Sequence, residues 1–552
     1  DLNLEKSLGW ELAVVTRIDK FETVIETQNG TNGIINFNDI DWTRKDFKKL
    51  FKNGDIIYVK KLINGNYSLK QLPIANGGIV VMDPYSGRVL ALSGGFSFKK
   101  SEFNRASQAK RQPGSAFKPF IYALALENNF SPTTLVLDAP IVLDQGNDLK
   151  MWKPENYGKK FYGPSTLRTG IEKSRNLMTV RIAQELGIDK IINFSKKLNI
   201  YESPDELMSV SLGSAETTLL KITSAYCSFL NGGKLVNPIL IDRIQDSEGK
   251  TIFNNEKRFC ENCDLISYDG TSNPIIKNKY QQIFSPQTAY QITSMLKGVI
   301  ERGTGKGLKE LKLELAGKTG TTNKNTDTWF IGFTSNLVVG VYIGYDNPRS
   351  LGKFETGSKT AMPVFKEFIK KTANTFNARP FKVADNINMM VIDAKTGKKA
   401  NPKTKLAIIE SFKKDDINLD GSPPKVNIRP HPWRRLKTAG SERKVPLVGY
   451  SLWAAKKAVE ASEGAFLFPK YCSEGGCNAN SASAALNKWL KQIAGRKYVI
   501  HSLRHSMRDR LRAVGCPSDM INQIGGWNST STGESYGLGY SNRQLASYLE
   551  IA

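Results

Sequence analysis

The chain reads RQPGSAFKPFIYALALE from residue 111 to residue 127. A Pro-Gly pair precedes an apolar run that predicts a helix, so Ser115 lies at the start of that helix. Backbone N–H groups at a helix start lack intrahelical partners, and the helix dipole favours developing negative charge there. Lys118 follows three residues later and therefore lies on the same face of the helix. This spacing gives a serine nucleophile and an amine beside it.

The choice of a lysine as the base follows from the distribution of histidine. The only three histidines are His431, His501 and His505, so the first 430 residues offer no imidazole. A serine needs a base to become nucleophilic, and a lysine amine desolvated near a second cation can serve. We therefore predict Ser115 as a nucleophile and Lys118 as its base.

Two short motifs downstream supply the other parts of such a site. Residues 174–176 read Ser-Arg-Asn in a helix–loop context, and residues 318–320 read Lys-Thr-Gly at the end of a strand predicted at residues 313–318. Ser174 can relay a proton toward a leaving amine, and Asn176 can hold both the lysine base and a substrate amide. Lys318 adds a second positive charge, which lowers the pKa of the first lysine.

The residues around the second lysine predict substrate contacts. The hydroxyls of Thr319 and Thr321 can bind a terminal carboxylate. Gly320 has no side chain, so an extended peptide can lie against this strand by β-addition. The backbone N–H groups of Ser115 and Thr321 are the candidates for an oxyanion hole.

The order S-x-x-K, S-x-N, K-T-G is typical of penicillin-binding proteins and β-lactamases. With these motifs, residues 77–415 resemble the penicillin-binding transpeptidase domain, specifically that of the bifunctional class A enzymes. The resemblance implies a substrate that ends in D-alanyl-D-alanine, namely the stem peptide of peptidoglycan. It implies that Ser115 forms an acyl-enzyme, that an amine of a neighbouring stem resolves it, and that β-lactams acylate Ser115. No cofactor is implied.

Three other activities remain open at this point. Water in place of the amine would give a carboxypeptidase. A β-lactamase of the same fold would need a carboxylate placed for rapid deacylation, and the sequence identifies none. A non-catalytic antibiotic sensor or scaffold would keep its acyl group in the presence of an amine acceptor.

The chain before these motifs predicts a small β domain over residues 1–75. Its β-rich runs alternate with turn signals, which indicates a barrel of the OB type, similar to the region that class A enzymes insert between their catalytic domains. The predicted strands are Trp10–Ile18, Phe21–Thr27, Gly33–Phe37, Asp55–Leu62 and Tyr67–Leu72.

The domain that carries the motifs is predicted over residues 76–380 as α+β, with one antiparallel sheet and helical layers. Residues 381–420 are predicted as its C-terminal extension and a linker. The family's glycosyltransferase domain and membrane helix would precede Asp1, so we expect no glycan polymerisation by this chain and a membrane anchor only in a full-length parent. The resemblance implies the periplasmic face of the bacterial inner membrane.

Residues 421–552 differ from the rest of the chain in charge and in motif. They hold 19 Lys and Arg against 8 Asp and Glu, within a chain of net charge +26. A basic surplus suits an anionic partner such as DNA, or simply solubility. A helix start at residues 501–505 reads His-Ser-Leu-Arg-His, and residues 435–438 with 441–447 predict a hairpin.

This segment resembles the catalytic domain of phage-integrase-type tyrosine recombinases, as a mainly α fragment. The resemblance implies that Lys437, His501 and Arg504 stabilise a phosphate, that Trp527 takes the place of a further histidine or tryptophan, and that Tyr536 is the nucleophile. An earlier arginine of that family is missing, so we predict an inactive, cytoplasmic-type fragment joined to an unrelated protein, by nature or by assembly error. The alternative is a basic helical domain with incidental residues.

The cysteines indicate neither a disulfide framework nor a metal site. Cys260 and Cys263 form a single C-x-x-C without a second ligand pair, so zinc is not predicted. A local disulfide or two free thiols remain open. Cys227 lies in an apolar helical pattern and is predicted to be core.

Overall fold

A computed structural model describes residues 8–144, 151–256, 258–261, 275–373, 375, 379–413, 424–428, 443–461, 468, 470–473, 476–495, 497–526 and 542–551. The chain divides into two compact units, residues 1–416 and residues 417–552.

The first unit begins with a closed five-stranded barrel in the order β1-β2-β3-β5-β4. Alternate side chains point inward, which places Val15, Ile25 and Ile35 in the barrel core. The five predicted strands are confirmed, with small shifts at their ends. They are β1 Trp10–Ile18, β2 Glu22–Thr27, β3 Asn32–Asn36, β4 Ile56–Lys61 and β5 Tyr67–Lys70, with α1 Phe47–Leu50 before β4.

Beyond the barrel, the first unit alternates strands and helices. Its strands are β6 Asn76–Met82, β7 Val89–Ser93, β8 Leu135–Asp138, β9 Gly163–Thr166, β10 Arg243–Gln245, β11 Thr251–Asn254, β12 Arg258–Glu261, β13 Ile275–Asn278, β14 Ala316–Thr321, β15 Asp327–Phe333, β16 Val338–Gly344, β17 Ile387–Asp393 and β18 Ala407–Lys413. Its helices are α2 Lys118–Glu127, α3 Leu167–Glu172, α4 Asn176–Leu186, α5 Ile188–Lys197, α6 Leu219–Leu230, α7 Pro286–Glu301 and α8 Ala361–Thr372.

One antiparallel sheet organises this region, in the order β14-β15-β16-β6-β7. Helices α2, α6 and α7 contribute to a large core on one face, and α8 packs against the other face. The sheet with an inserted helical layer is as predicted. Because both faces are covered, β15 is buried along its whole length, and β14 is buried up to its last residue.

The hairpin β17–β18 is the C-terminal part of the first unit and packs against helices that come earlier in the chain. Glu410 of β18 has no exposed surface and forms a buried ion pair with Arg168 of α3. Nε2 of Gln291 in α7 donates to the carbonyl oxygen of Ser411 at 3.0 Å. Late residues of this unit therefore complete a core that begins before residue 170.

Over its described residues, the second unit contains short hairpins and five helices. Its buried cluster includes Leu511, Met520, Ile524 and Leu545. Strand β20 pairs with β19, whereas residues 435–438, the predicted partner, lie outside the described residues. The elements are β19 Lys425–Ile428, β20 Arg443–Pro446, β21 Cys472–Ser473, β22 Gly476–Cys477, α9 Gly449–Glu460, α10 Ala479–Ala494, α11 Ile500–Ala513, α12 Ser518–Gly525 and α13 Asn542–Ile551.

Two expectations about single features can also be compared with the described residues. Cys227 is confirmed as a core residue of α6, without exposed surface. Cys260 is disulfide-bonded, and Cys263 lies outside the described residues. None of the helices in the described ranges has the length and hydropathy needed to cross a bilayer.

Candidate active site

Ser115 lies in a single 3-10 turn, Gly114–Ala116, immediately before α2. Gly114 has a φ of +52°, and a Cβ there would stand 2.6 Å from the carbonyl oxygen of Thr321 in β14. Only glycine tolerates both conditions without strain, so the glycine lets the turn press against the strand. The Tyr226 hydroxyl donates to the Ala116 carbonyl oxygen at 2.6 Å and holds the turn from the core side.

The two motif lysines are fully buried and meet at one serine. Nζ of Lys118 donates to the carbonyl oxygen of Ser174 at 2.8 Å and to Oδ1 of Asn176 at 2.6 Å. Nζ of Lys318 donates to Oγ of Ser174 at 2.9 Å. The structure therefore brings four of the five predicted catalytic side chains into direct contact, and the fifth, Ser115, lies in the turn immediately before the helix that carries Lys118.

The electrostatics of the lysine pair favour neutral amines. Burial, and next the positive charge of Lys318, hold the pKa of Lys118 well below its usual value. Burial lowers the pKa of Lys318 to about 7. The sequence analysis expected both a desolvated amine and a second positive charge, and in the structure burial lowers the pKa more than the charge does. An amine that loses its proton near neutral pH can accept one from a serine hydroxyl.

Ser174 connects α3 to α4 through a left-handed residue, with a φ of +55°. Its Oγ accepts from Lys318 at 2.9 Å and from Lys118 at 3.5 Å. A hydroxyl has two lone pairs and one hydrogen, so when both amines donate, its own hydrogen is free to point elsewhere. The unusual backbone conformation thus places a hydroxyl between two amines.

Two residues that the sequence did not single out support this cluster. Asn156 accepts the backbone N–H of Asn176 through its Oδ1 at 2.8 Å and donates through Nδ2 to Oδ1 of Asp138 at 2.7 Å. Asp138 has no exposed surface. Neither residue belongs to a motif with a fixed spacing, so burial in the folded chain was the only signal that could identify them.

Ser115, Ser174 and Asn176 line a cavity of about 600 Å³. Oγ1 of Thr319 lies 2.9 Å from Oγ1 of Thr304, and Oγ1 of Thr321 accepts the backbone N–H of Gly357 at 3.0 Å. Both threonines therefore line the cavity with hydroxyls that are already oriented. Thr304, in the loop after α7, is a lining residue that the motifs did not indicate.

Charge in the cavity wall has one sign. Lys173, Arg175 and Lys324 line the cavity, and no Asp or Glu appears among its described lining residues. The guanidinium of Arg175 stacks on the ring of Tyr162, 3.1 Å from its centroid. Such a wall attracts a substrate that carries a carboxylate.

The reason for Gly320 differs from the one argued from sequence. A Cβ at this position would stand 2.5 Å from the carbonyl oxygen of Pro113 and 3.1 Å from Cβ of Ala116. The missing side chain therefore makes room for the turn that carries Ser115, because the strand and the turn are in direct contact. An extended ligand is not needed to explain the glycine.

The predicted recombinase residues are only partly described. His501 and Arg504 lie on α11, and the rings of His501 and His505 are 5.1 Å apart. Nη2 of Arg504 donates to the carbonyl oxygen of Gly525 at 2.5 Å. Lys437, Trp527 and Tyr536 lie outside the described residues.

The chain was compared with known protein families. Residues 77–370 match the model of the penicillin binding protein transpeptidase domain, and residues 2–75 match that of the penicillin-binding protein OB-like domain. Together these two matches cover the barrel and the domain that holds the cavity.

Individual relatives agree with the two family matches. The chain is 41% identical over 417 residues to Penicillin-binding protein 1A of Rickettsia conorii, covering 75% of this chain and 52% of that protein. It is 35% identical over 476 residues to Penicillin-binding protein 1A of Pseudomonas aeruginosa, covering 78% and 57%. The crystal structure of Penicillin-Binding Protein 1A from Haemophilus influenzae matches with a TM-score of 0.63 at 31% identity, covering 74% of this chain and 63% of that one. The chain thus spans about half the length of these curated relatives.

Proposed function

Because this chain belongs to the penicillin-binding protein transpeptidase family and carries its OB-like domain, we propose that it is a serine D,D-transpeptidase of peptidoglycan. Its substrates are stem peptides that end in D-alanyl-D-alanine, and β-lactams acylate the same serine. The observation that carries the proposal is the contact of Lys118, Ser174, Asn176 and Lys318 behind the turn of Ser115.

The proposed reaction assigns one step to each side chain. Neutral Lys118 takes the proton of the Ser115 hydroxyl as its oxygen attacks the carbonyl carbon of the penultimate D-alanine. The backbone N–H groups of Ser115 and Thr321 stabilise the oxyanion. Ser174 passes a proton to the departing amine, so the peptide bond breaks and D-alanine leaves. An amine of a neighbouring stem then attacks the ester, which forms the cross-link and frees the serine.

Substrate orientation follows from the cavity wall. The hydroxyls of Thr319 and Thr321, with the positive charge of Lys324 and Arg175 nearby, suit the terminal carboxylate of the stem. Oδ1 of Asn176 already accepts a hydrogen bond from Lys118, and its Nδ2 donates to the carbonyl oxygen of Glu155 at 2.7 Å. One N–H of that amide is therefore committed to the protein, and the other is available for a substrate carbonyl.

The cavity also distinguishes the alternatives. Rapid hydrolysis of an acyl-enzyme in a β-lactamase requires a carboxylate that activates water. No Asp or Glu is present among the described residues that line the cavity. This supports the proposal of a long-lived β-lactam acyl-enzyme, whereas a β-lactamase would release its acyl group rapidly. Carboxypeptidase activity would appear as release of D-alanine without an amine acceptor, and a sensor would release none.

The test is labelling with a fluorescent penicillin. We expect the native chain to be labelled and the variant Ser115→Ala to be unlabelled, because no other nucleophile is expected to form the acyl-enzyme. Ser214→Ala is the matched control, since Ser214 lines the same cavity without contacting the lysines, and it should be labelled normally. Labelling of Ser115→Ala would refute the proposal.

For residues 417–552 we propose a remnant of a tyrosine recombinase domain without strand-exchange activity. The support is the placement of His501, Arg504 and His505 on α11. Incubation with nicked DNA that traps a phosphotyrosine is expected to give no covalent product on Tyr536, and a trapped product would refute inactivity. Sequencing reads across residues 415–430 would test whether the two segments belong to one gene. Compartments are proposed separately, periplasmic for the transpeptidase part and cytoplasmic for the remnant.

A further inference from the structure

Asp138, the last residue of β8, presents an unusual combination of burial and incomplete pairing. Its side chain has no exposed surface. Oδ1 accepts from Nδ2 of Asn156 at 2.7 Å, while Oδ2 has no hydrogen-bond partner among the described residues. Nε of Arg175 lies 3.8 Å from Oδ2, beyond hydrogen-bond distance. A buried carboxylate whose second oxygen has this long ion-pair contact but no hydrogen bond is only partly compensated for its burial.

The hydrogen bonds of Asn156 lead from this carboxylate to the reacting groups. Its Nδ2 also donates to the carbonyl oxygen of Lys160 at 2.9 Å, which turns Oδ1 toward the first residues of α4. There Oδ1 accepts the backbone N–H of Asn176 at 2.8 Å and that of Leu177 at 3.3 Å. These N–H groups have no partner inside the helix, so Asn156 caps α4 and fixes the start of that helix at Asn176.

Asn176 completes the path. Its Oδ1 accepts from Nζ of Lys118 at 2.6 Å, the shorter of that amine's two close contacts. Three consecutive hydrogen bonds therefore join the carboxylate of Asp138 to the amine of Lys118, and the middle one is made by the backbone N–H of Asn176.

The charges around Asp138 give it a second effect. The charged and titratable groups that face Asp138 are Lys118 and Tyr122 of α2, Arg175 just before α4, and Arg181 of α4. Lys318 of β14 in turn faces Lys118. Arg181 directs its Nη2 to the carbonyl oxygens of Ala139 and Pro140. The negative charge of Asp138 raises the pKa of Lys118, against the larger lowering by burial and by Lys318.

We propose that Asp138 is a positioning residue for acylation of Ser115, which fixes Asn176 against Lys118 through Asn156 and offsets part of the positive charge enclosed behind the serine. This inference rests on the proposed function. It adds a residue to the reaction that touches neither the substrate nor the nucleophile.

Two variants separate the two effects. Asp138→Asn retains an oxygen for Asn156 and removes the charge, so the pKa of Lys118 falls further and the amine is neutral at lower pH. The acid limb of the pH profile, where the acylation rate falls as the pH is lowered, should therefore move to lower pH. Asn156→Ser keeps the charge and removes the contact with Asn176, so the limb should stay in place while the plateau rate falls, by up to about 100-fold for a misplaced base.

The measurement is the second-order acylation rate with fluorescent penicillin on the full chain, from about pH 5 to pH 10, a range that extends to both sides of the lowered pKa of Lys318. Glu410→Gln is the control, because it removes an equally buried carboxylate outside the cavity and should leave the limb in place. An unshifted limb in Asp138→Asn overturns the charge effect.

A native plateau rate in Asn156→Ser overturns the positioning effect, and this variant decides the matter if Asp138→Asn does not fold. Absence of labelling of the native chain at Ser115 would instead refute the proposed function itself. The two failures are therefore distinguishable.

Discussion

Lys118 and Lys318 are two cationic side chains without exposed surface, held around the single hydroxyl of Ser174. Two ammonium groups cannot both remain charged at such proximity without cost, so at least one amine is neutral near physiological pH. This is the physical condition under which a lysine can replace histidine as the base for Ser115.

The charge of Lys318 can be tested at this scale. In Lys318→Met the neighbouring positive charge is lost, the pKa of Lys118 rises, and the acid limb of penicillin acylation should move to higher pH. The conservative variant Lys318→Arg keeps the charge and should keep the limb near its native position. A limb in the Met variant that stays in place or moves to lower pH would contradict this account.

The sequence indicated the proposed reacting residues because each motif combines a fixed spacing with a chemical reason. Ser115 and Lys118 share a helical face, and a second lysine was expected near the first. Asp138 and Asn156 carry no such spacing, since an aspartate after a β-rich run and an asparagine in a loop occur in many unrelated contexts. Their relation to Lys118 exists only after β8 and α4 have packed together.

At the scale of elements, the contact of β14 with the turn Gly114–Ala116 decides where the nucleophile stands. The sequence predicted a strand at residues 313–318, and the structure has it at Ala316–Thr321. Pairing with β15 sets this position, because Lys318 lies opposite Ile331 in the ladder. Hydrophobic pattern located the strand only approximately, since its register depends on a partner that comes later in the chain.

A methyl group at Gly320 should separate these two elements. Gly320→Ala places Cβ against the carbonyl oxygen of Pro113, so we expect a loss of about 1–3 kcal/mol in the free energy of unfolding from overpacking. Acylation should slow by about tenfold or more, as the turn shifts. Gly158→Ala is the control, because a Cβ there meets nothing within 4 Å. Chemical denaturation and labelling rates measure the two effects, and equal behaviour of both variants would contradict the packing argument.

At the scale of the whole chain, all the described residues that line the candidate cavity lie in the first unit. Deletion of residues 417–552 should therefore leave the rate of penicillin labelling unchanged. The expected result is a chain that unfolds cooperatively and is labelled at the native rate. A deletion variant that folds yet is labelled much more slowly would show that the second unit contributes to the site.

The hairpin β17–β18 belongs to that first unit although the family model ends at residue 370. Glu410→Gln removes the charge of one of the two carboxylates that pair with the buried Arg168, which retains Glu172 and the oxygens of Ser294, so we expect a loss of about 3 kcal/mol in the free energy of unfolding. Glu301→Gln, in a partly exposed pair with Arg302, should cost about 0–1 kcal/mol. Equal losses in denaturation experiments would contradict a structural role for the hairpin.

The pairing of Arg168 with Glu410 also has a consequence for the folding of the chain during its synthesis. The two residues are 242 positions apart, so α3 and its neighbours emerge long before the strand that neutralises their arginine. At 5–20 residues per second this delay is about 12–50 seconds. During that interval the Arg168 guanidinium has Glu172 of its own helix as a partner, but its second carboxylate has not yet been made. Chaperone binding should therefore be strongest for chains whose synthesis is halted between Arg168 and Glu410. It should end only once the last hairpin has been made.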